Sequence, residues 1–176
     1  GVEVLNGILQ QYLNPPDGKK KEHRLGERLF REGDKVMQIK NNYDKEVFNG
    51  DIGVISSVNM EERTMKVDFD GRLIEYDVTE LDELVHAYAT TIHKAQGSEY
   101  PIVVMPILMN HYVMLQRNLI YTGITRAKRL FVMVGTKKAL AYAVGNVTVT
   151  KRNTLLKERL EAAASQTKDP VHEGGF

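Results

Sequence analysis

The chain contains no cysteine and no tryptophan, and its formal net charge is only +1 at pH 7. Without cysteine it forms neither disulfides nor thiolate metal sites. So small a net charge does not imply nonspecific nucleic-acid binding by the whole surface. The lysines at 19–21, 35, 40 and 45 leave two alternatives open, a local basic face or an ordinary solvated surface.

The sequence also lacks long apolar stretches and recognisable targeting segments. No run reaches the roughly eighteen apolar residues that a membrane-spanning helix needs. No charged-then-apolar signal peptide stands at its start. We therefore expect a cytoplasmic protein without a membrane partner.

A third absence concerns the chemistry of ATP hydrolysis. The phosphate-holding loop GxxxxGK[ST] occurs nowhere in the 176 residues. No apolar strand ends in the paired acids that would hold Mg²⁺ and orient water. The histidines show no metal-ligand spacing, so no metal site is predicted. Without these elements the chain alone is not expected to hydrolyse ATP.

The sequence divides into segments in which apolar residues recur with different periods. The apolar residues at 4, 5, 8, 9, 12 and 13 have helical spacing, which Asn14-Pro15-Pro16 ends. Residues 17–24 are a polar loop. Residues 33–79 contain short β-type runs over 36–40, 52–58, 64–69 and 72–78, and Asp70-Gly71 is a hairpin signal between the last two. These runs predict a small barrel resembling an SH3 fold.

After residue 81 helical and strand-like patterns alternate. Helices are predicted over residues 85–96, 112–125 and 137–144, and buried strands over 102–107 and 130–135. This order predicts an α/β layer with parallel strand pairing. A last helix is predicted over 154–164, followed by a disordered tail.

Two strings carry most of the functional information. Residues 119–129 read LIYTGITRAKR, and residues 86–101 read HAYATTIHKAQGSEYP. Together these strings resemble motifs VI and V of superfamily 1 helicases. The resemblance is narrowed to the RecD-like DNA helicases by residues 5–16, 33–38, 41–42 and 47–53. It covers most of the chain up to about residue 145.

The resemblance implies an α/β fold in which a partial RecA-like parallel-sheet domain carries an inserted small SH3-like β-barrel. The RecA-like motor domain would comprise residues 1–30 and 82–150, the barrel residues 31–81, and a C-terminal helix and flexible tail residues 151–176. The chain would be the C-terminal motor domain of an ATP-dependent DNA helicase, a hydrolase moving 5′→3′ on single-stranded DNA.

The resemblance also implies the cofactor and the partners. ATP with Mg²⁺ would be shared with an N-terminal RecA-like domain of the same parent chain, which holds the Mg²⁺ ligands. The partners would be that domain, single-stranded DNA and, for some relatives, other subunits of a recombination or nuclease complex.

Arg126 is the predicted catalytic residue. An always-charged guanidinium at the end of a packed helix suits recognition of a phosphate oxygen. The resemblance implies that Arg126 reaches across an interdomain cleft to the γ-phosphate of ATP. The alternative from the residues alone is a surface arginine paired with an acid.

Three nearby residues are predicted to lie close to the nucleotide. The resemblance places Gly97 near the γ-phosphate and Glu99 near the nucleotide sugar. Gln96 stands where many superfamily 1 relatives have lysine and where the RecD-like pattern has glutamine. The alternative is a C-cap glycine followed by an exposed acid.

The resemblance implies that Thr90, Thr91, His93, Lys94 and Asn42 bind DNA. The alternatives are a structural role for His93 and a solvated surface position for Lys94. Hydroxyl, imidazole and ammonium groups can donate to phosphodiester oxygens without reading bases. Asn42, with Gln38 and Asn41, belongs to a stretch resembling motif IV, and these amides contact ligand or cap a turn.

A rival function is a non-catalytic DNA- or protein-binding module built on the SH3-like barrel. Such an adaptor would not need Arg126 together with Gly97 and Glu99. A nuclease is disfavoured, because no acids and lysine cluster at a spacing suited to metal-dependent cleavage.

Overall fold

The computed structural model describes residues 1–147, and the predicted helix over 154–164 and the tail lie outside these residues. In chain order the elements are α1 (Val2–Leu13), β1 (Glu22–Leu25), β2 (Arg28–Arg31), β3 (Lys35–Gln38), β4 (Ile52–Asn59), β5 (Thr64–Phe69), β6 (Arg72–Asp77), a 3-10 helix (Val78–Glu83), β7 (Leu84–His86), β8 (Tyr100–Ile107), a second 3-10 helix (Met109–Met114), α2 (Arg117–Thr125), β9 (Ala127–Gly135) and α3 (Lys137–Gly145). The predicted helices at the start of the chain and at 137–144 are confirmed.

The β-rich part is a five-stranded antiparallel sheet in the order β6-β5-β4-β3-β7. The predicted hairpin is confirmed: β5 and β6 pair in register from Phe69↔Arg72 outwards. Its turn residues, Asp70 and Gly71, have φ of 52° and 91°, a conformation that glycine adopts without steric penalty. Alternate side chains of β4 and β5 point inward and form a core with members of the other strands.

A short hairpin precedes this sheet. β1 and β2 pair antiparallel with Gly26, at φ 59°, in the turn between them. Residues 22–24 therefore belong to a strand, and the predicted loop over 17–24 is wrong for them. Residues 22–24 are charged and alternate only weakly between polar and apolar, so the sequence gives little indication of a strand. Pairing with β2 stabilises this strand.

The α/β layer contains the predicted parallel pair. β8 and β9 pair in parallel, and α2 and α3 contribute Ile120, Ala139 and Ala143 to a second small core. The predicted helix over 112–125 begins only at Arg117, after a 3-10 helix.

The strands of this layer were predicted to be buried, which the structure corrects. Within residues 1–147 the side chains of Ile102, Val104, Leu130 and Val134 are between 50% and 61% exposed. The reason is that the pair has no further strand beside it among these residues, and α2 and α3 pack with inward-facing residues such as Met105 and Ile107.

The predicted helix over 85–96 is wrong. Leu84–His86 is strand β7, which pairs antiparallel with β3, and residues 92–97 form turns. The backbone groups that a helix would use are taken elsewhere: the Ala87 N–H donates to the carbonyl of Lys35, and both backbone groups of Ala89 bond to the Asn6 side chain. Long-range pairing has overridden a local helical pattern.

None of the helices formed by residues 1–147 is long and apolar enough to cross a bilayer. The division into a motor domain (1–30 and 82–150) and an inserted barrel (31–81) stays a prediction.

Candidate functional site

Residues 91–98 form a compact turn, which we call the site turn. The N–H groups of Ala95 and Lys94 donate to the carbonyl and hydroxyl oxygens of Thr91, at 3.0 and 3.2 Å. Ala95 is only 6% exposed and anchors the turn. The polar residues around it are exposed, namely Thr91, His93, Lys94 and Gln96. The turn therefore presents donors to the outside.

Gly97 has a φ of 87°, in the region that residues with a Cβ rarely adopt. No atom lies within 4 Å of the position that a Cβ on Gly97 would take. Neighbouring atoms leave room for a side chain at this position. Glycine is therefore favoured here by the backbone conformation and not by crowding. The structure confirms a positive-φ turn at the predicted residue, although no helix precedes it.

Arg126 directly follows α2 as its C-cap residue. Its Nη1 donates to the carbonyl oxygen of Ser98 at 3.2 Å, and its Nη2 lies 3.4 Å from Thr125 Oγ1. The Nε atom is buried and has no hydrogen-bond partner among the residues described. Within residues 1–147 Arg126 forms no ion pair, so the alternative of an acid-paired surface arginine finds no support there.

The backbone brings the two sequence strings together. The N–H of Tyr100 donates to the carbonyl of Arg126 at 2.8 Å, and Tyr100 pairs with Ala127 at the start of the parallel strands. Arg126 and the site turn therefore meet at the amino ends of β8 and β9. Sequence reasoning grouped the two strings by resemblance but did not identify Ser98, whose carbonyl makes the contact, and no side-chain signal marks it.

Glu99 forms an ion pair with Lys128 at 3.1 Å, and both side chains are 57% exposed. Such an exposed pair contributes little to stability and is easily exchanged for another partner. Glu99 also lines a cleft of about 520 Å³ between the site turn and the β-rich part, together with Ser98, Tyr100, Lys35, residues 50–54, Asp68 and Asp70.

Asn42 lies apart from the other predicted DNA-binding residues. Its side chain donates to Glu83 Oε2 at 3.3 Å and accepts from the N–H of Lys45, and its backbone forms an isolated bridge with Val47. Among the described residues no hydrogen bond connects it to the site turn. This geometry is that of a turn cap in the barrel, one of the two predicted alternatives.

The donor set at the turn suits an anion. Phosphate oxygens accept hydrogen bonds from guanidinium, ammonium and imidazole groups. The site offers the guanidinium of Arg126, whose buried Nε is unpaired, and the exposed side chains of Lys94 and His93. The residues present therefore fit a triphosphate or a phosphodiester brought from outside the described chain.

Two family models match the chain. One, described as the ATP-dependent RecD-like DNA helicase SH3 domain, matches residues 5–69, and the other, the UvrD-like helicase C-terminal domain, matches residues 86–134. The chain is also 40% identical over 162 residues, 92% of its length, to the ATP-dependent RecD2 DNA helicase of Deinococcus radiodurans. The chain thus carries a match to the SH3 domain of the RecD-like DNA helicases beside a match to the UvrD-like helicase C-terminal domain. The resemblance seen in the two strings is thereby confirmed.

Further relatives carry the name RecBCD enzyme subunit RecD. The one from Buchnera aphidicola is 26% identical over 141 residues, or 78% of this chain, and the one from Haemophilus influenzae 31% over 129 residues, or 73%. The chain spans 22% of the Deinococcus helicase, 23% of the Buchnera subunit and 19% of the Haemophilus subunit. It therefore corresponds to about a fifth of each RecD-like relative.

Solved structures agree on the fold. The Pif1 helicase from Bacteroides in complex with ADP-AlF3 and ssDNA is similar with a TM-score of 0.57 at 16% identity, covering 94% of this chain and 44% of that one. Bacteroides Pif1 bound to ssDNA gives 0.53 at 16% identity, covering 93% and 44%. At such identities the likeness shows the fold alone. With the SH3 match, it confirms the predicted RecA-like α/β fold class with an SH3-like barrel.

Proposed function

We propose that this chain is the C-terminal motor domain of an ATP-dependent DNA helicase, and that Arg126 is its arginine finger. The observation that carries the proposal is the position of Arg126. Its guanidinium rests against Ser98 in the site turn, pairs with no carboxylate among residues 1–147, and leaves its buried Nε unpaired. Such a cation stabilises the charge that spreads over a transferring phosphoryl group.

The end of the sheet at which Arg126 lies supports a finger acting on a nucleotide held elsewhere. Open α/β sheets bind their own ligands beyond the carboxyl ends of the strands. In this chain those ends are at Ile107 and Gly135, whereas Arg126 lies at the amino ends of β8 and β9. ATP with Mg²⁺ would therefore be bound by an N-terminal RecA-like domain with a phosphate-binding loop, and this chain alone would be inactive.

The residues in the site turn and directly beside it would contact two different ligands. Gly97, Gln96 and Glu99 would lie near the nucleotide, on the side of the turn that Arg126 reaches. Thr91 and His93, with Thr90 and Lys94, would donate to the backbone of single-stranded DNA. Thr91, His93 and Lys94 are exposed and Thr90 is half-buried. Among the described residues their side-chain donors form no hydrogen bond, and the only local bond to these side chains is from the Lys94 N–H to the Thr91 hydroxyl. Asn42 is the least supported member, because its amide is engaged by Glu83.

Binding of ATP between two motor domains would favour their closed arrangement, and hydrolysis would release it. Each cycle would shift the DNA contacts of the site turn and move the protein along one strand, in the 5′→3′ direction that the family resemblance implies. Other subunits of a recombination complex remain proposed partners, since several relatives are named as RecBCD subunits.

The decisive experiment replaces Arg126 in the helicase that contains both motor domains. Arg126→Ala should lower DNA-stimulated ATP turnover by about 10³–10⁵-fold, the range found for arginine fingers, while ATP binding measured with a fluorescent analogue is largely kept. Arg117→Ala is the matched control. Arg117 is on the same helix, but its Nε donates to the carbonyl of Val144, so turnover should stay within about threefold of the parent. Near-normal turnover in Arg126→Ala would refute the finger.

A second experiment separates the motor from the rival binding module. This chain is mixed with an N-terminal half carrying the phosphate-binding loop, and ATPase activity is measured with and without oligo-dT. Restored DNA-stimulated activity supports the motor. Stable association without activity favours the adaptor. In the intact helicase, unwinding of substrates with 5′ or 3′ single-stranded tails tests the direction.

A further inference from the structure

Helix α1 buries its polar face and exposes its apolar one. Asn6, Gln10 and Asn14, which lie one above another at every fourth residue, are only 5%, 5% and 6% exposed. On the other side of the helix Ile8 and Tyr12 are 50% and 81% exposed. Burying three amides is favourable only if each is hydrogen-bonded, so their partners indicate what α1 holds in place.

Asn6 holds the residue that leads into the site turn. Its Nδ2 donates to the carbonyl of Ala89 at 2.9 Å, and its Oδ1 accepts from the N–H of Ala89 at 2.8 Å. An asparagine amide matches both backbone groups of one residue in this way. The contact joins residues 83 positions apart in sequence, and Ala89 directly precedes Thr90.

A second contact joins α1 to the same segment through a buried carboxylate. Asp34, fully buried between β2 and β3, accepts from Gln10 Nε2 at 2.6 Å and from Asn14 Nδ2 at 2.7 Å. It also accepts from the hydroxyl of Tyr88 at 2.8 Å, and His86 Nε2 lies 3.2 Å away. Burial and then the bond to Asp34 raise the pKa of Tyr88 to about 12, so its hydroxyl is protonated and donates at neutral pH.

The hydrogen bonds that anchor the approach to the site turn end at Ala89. The N–H of Ala87 still donates to Lys35 of β3, but no described residue makes a hydrogen bond to Thr90. The placement of the turn relative to α1 and the barrel thus depends on the contacts made by residues 86–89. Of these contacts, those from Asn6 and Asp34 are side-chain bonds within a polar network that a single substitution disrupts.

We propose that Asn6 and Asp34 are positioning residues that clamp residues 86–89, so that the site turn and the barrel move as one body. The proposal deepens the proposed function, on which its DNA-binding consequence rests. In this arrangement a displacement of the barrel is passed to Thr91 and His93 through the clamp. Loosening it leaves the donors of the site turn intact but lets them sample many positions.

Hydrogen exchange of this chain tests the clamp without reference to any activity. In Asn6→Ala the amides of Ala89 and of residues 94–98 should exchange at least tenfold faster, with those of β4 and β5 unchanged. Tyr88→Phe removes one hydroxyl donor to Asp34, keeps the ring, and should give a smaller change in the same direction. Gln11→Ala, at an exposed position of the same helix, is the matched control and should change nothing.

The functional readout is the affinity of the chain for a fluorescent oligo-dT, which a merely stabilising residue of the fold would not alter. Asn6→Ala and Tyr88→Phe should raise the dissociation constant at least fivefold and twofold, and Gln11→Ala should not. Exchange that rises uniformly or not at all, or faster exchange with unchanged DNA affinity, overturns the proposal. If even the unaltered chain binds no oligo-dT, the proposed DNA contact fails, and exchange at residues 89–98 alone decides the clamp.

Discussion

Asp34→Asn removes one negative charge and one acceptor oxygen from a cluster that water does not reach. The carboxylate of Asp34 is 0% exposed, and each of its oxygens accepts more than one hydrogen bond. The substitution keeps the shape of the side chain. Any change in stability therefore reports hydrogen bonding and charge rather than packing.

The size of the effect follows from the donors around the two oxygens. On the Oδ2 side the new amide group would face Gln10 Nε2 at 2.6 Å and the N–H of Arg31 at 2.8 Å. On the Oδ1 side it would face Asn14 Nδ2 at 2.7 Å. Either way at least one donor loses its acceptor. Hydrogen bonds to charged groups contribute about 1.5–3 kcal/mol, so the free energy of unfolding should fall by about 3 kcal/mol.

The effect should depend on pH in one direction. Burial raises the pKa of Asp34, but the hydrogen bonds to His86, Asn14 and Tyr88 and to the Arg31 N–H together outweigh it. Its pKa in the folded chain therefore lies below the usual value of 3.8. A lowered carboxyl pKa contributes stability that is complete above the unfolded pKa and is lost as pH falls through the folded one. The difference between Asp34→Asn and the parent should be constant above about pH 5 and shrink below pH 3.8.

Urea denaturation of this chain at pH 7 and at steps down to pH 3 measures both quantities. Asp82→Asn is the control, because Asp82 pairs with Lys40 at 2.6 Å but is 56% exposed, and it should cost less than about 0.5 kcal/mol. The reasoning is refuted if Asp34→Asn costs less than about 1 kcal/mol at pH 7, or if its penalty grows as the pH is lowered.

Substitutions of two glycines, Gly135 and Gly97, can be tested in the same denaturation assay. A Cβ on Gly135 would lie 1.9 Å from the carbonyl oxygen of Ile107, so Gly135→Ala should push β8 and β9 apart and cost at least the roughly 1–3 kcal/mol of overpacking. Gly97→Ala meets no atom within 4 Å but must keep a φ of 87°, which should cost about 1–2 kcal/mol. Gly145→Ala, at the end of α3 and likewise free of contacts, should be neutral or slightly stabilising. Both expectations are contradicted if Gly135→Ala and Gly97→Ala lower the free energy of unfolding no more than Gly145→Ala does.

The elements that could be predicted from the sequence are those whose signal is local. Asp70-Gly71 fixes a tight turn by its own backbone preferences, and the β5–β6 hairpin follows. The apolar runs after residues 100 and 127 predict strands because no other element suits their length. α3 begins where the Thr136 hydroxyl accepts from the Ala139 N–H, an N-cap that can be read from sequence.

The helix predicted over residues 85–96 is wrong because these residues have partners far away in the chain. Residues 84–86 become a strand because β3 offers an open edge, and Ala89 is kept out of a helix by Asn6. The candidate site follows the same rule. The residues with functional chemistry could be named from their strings, whereas the contact of Arg126 with Ser98 could not be found, because a backbone carbonyl leaves no trace in sequence.

The unpaired Nε of Arg126 bears on how strongly the proposed finger would act. Leaving a buried donor without an acceptor costs a folded protein about 1–3 kcal/mol, and more when the group is charged. In the free chain that cost stands, since Ser98 and Thr125 engage only the two terminal nitrogens. Because Nε is buried in the free chain, a phosphate oxygen would reach it only if closure onto ATP also uncovered it, and that contact would then remove the cost. Arg126→Lys keeps the positive charge but has no Nε donor in that place. If the argument holds, Arg126→Lys should recover little of the turnover lost in Arg126→Ala, and substantial recovery would show that charge alone suffices.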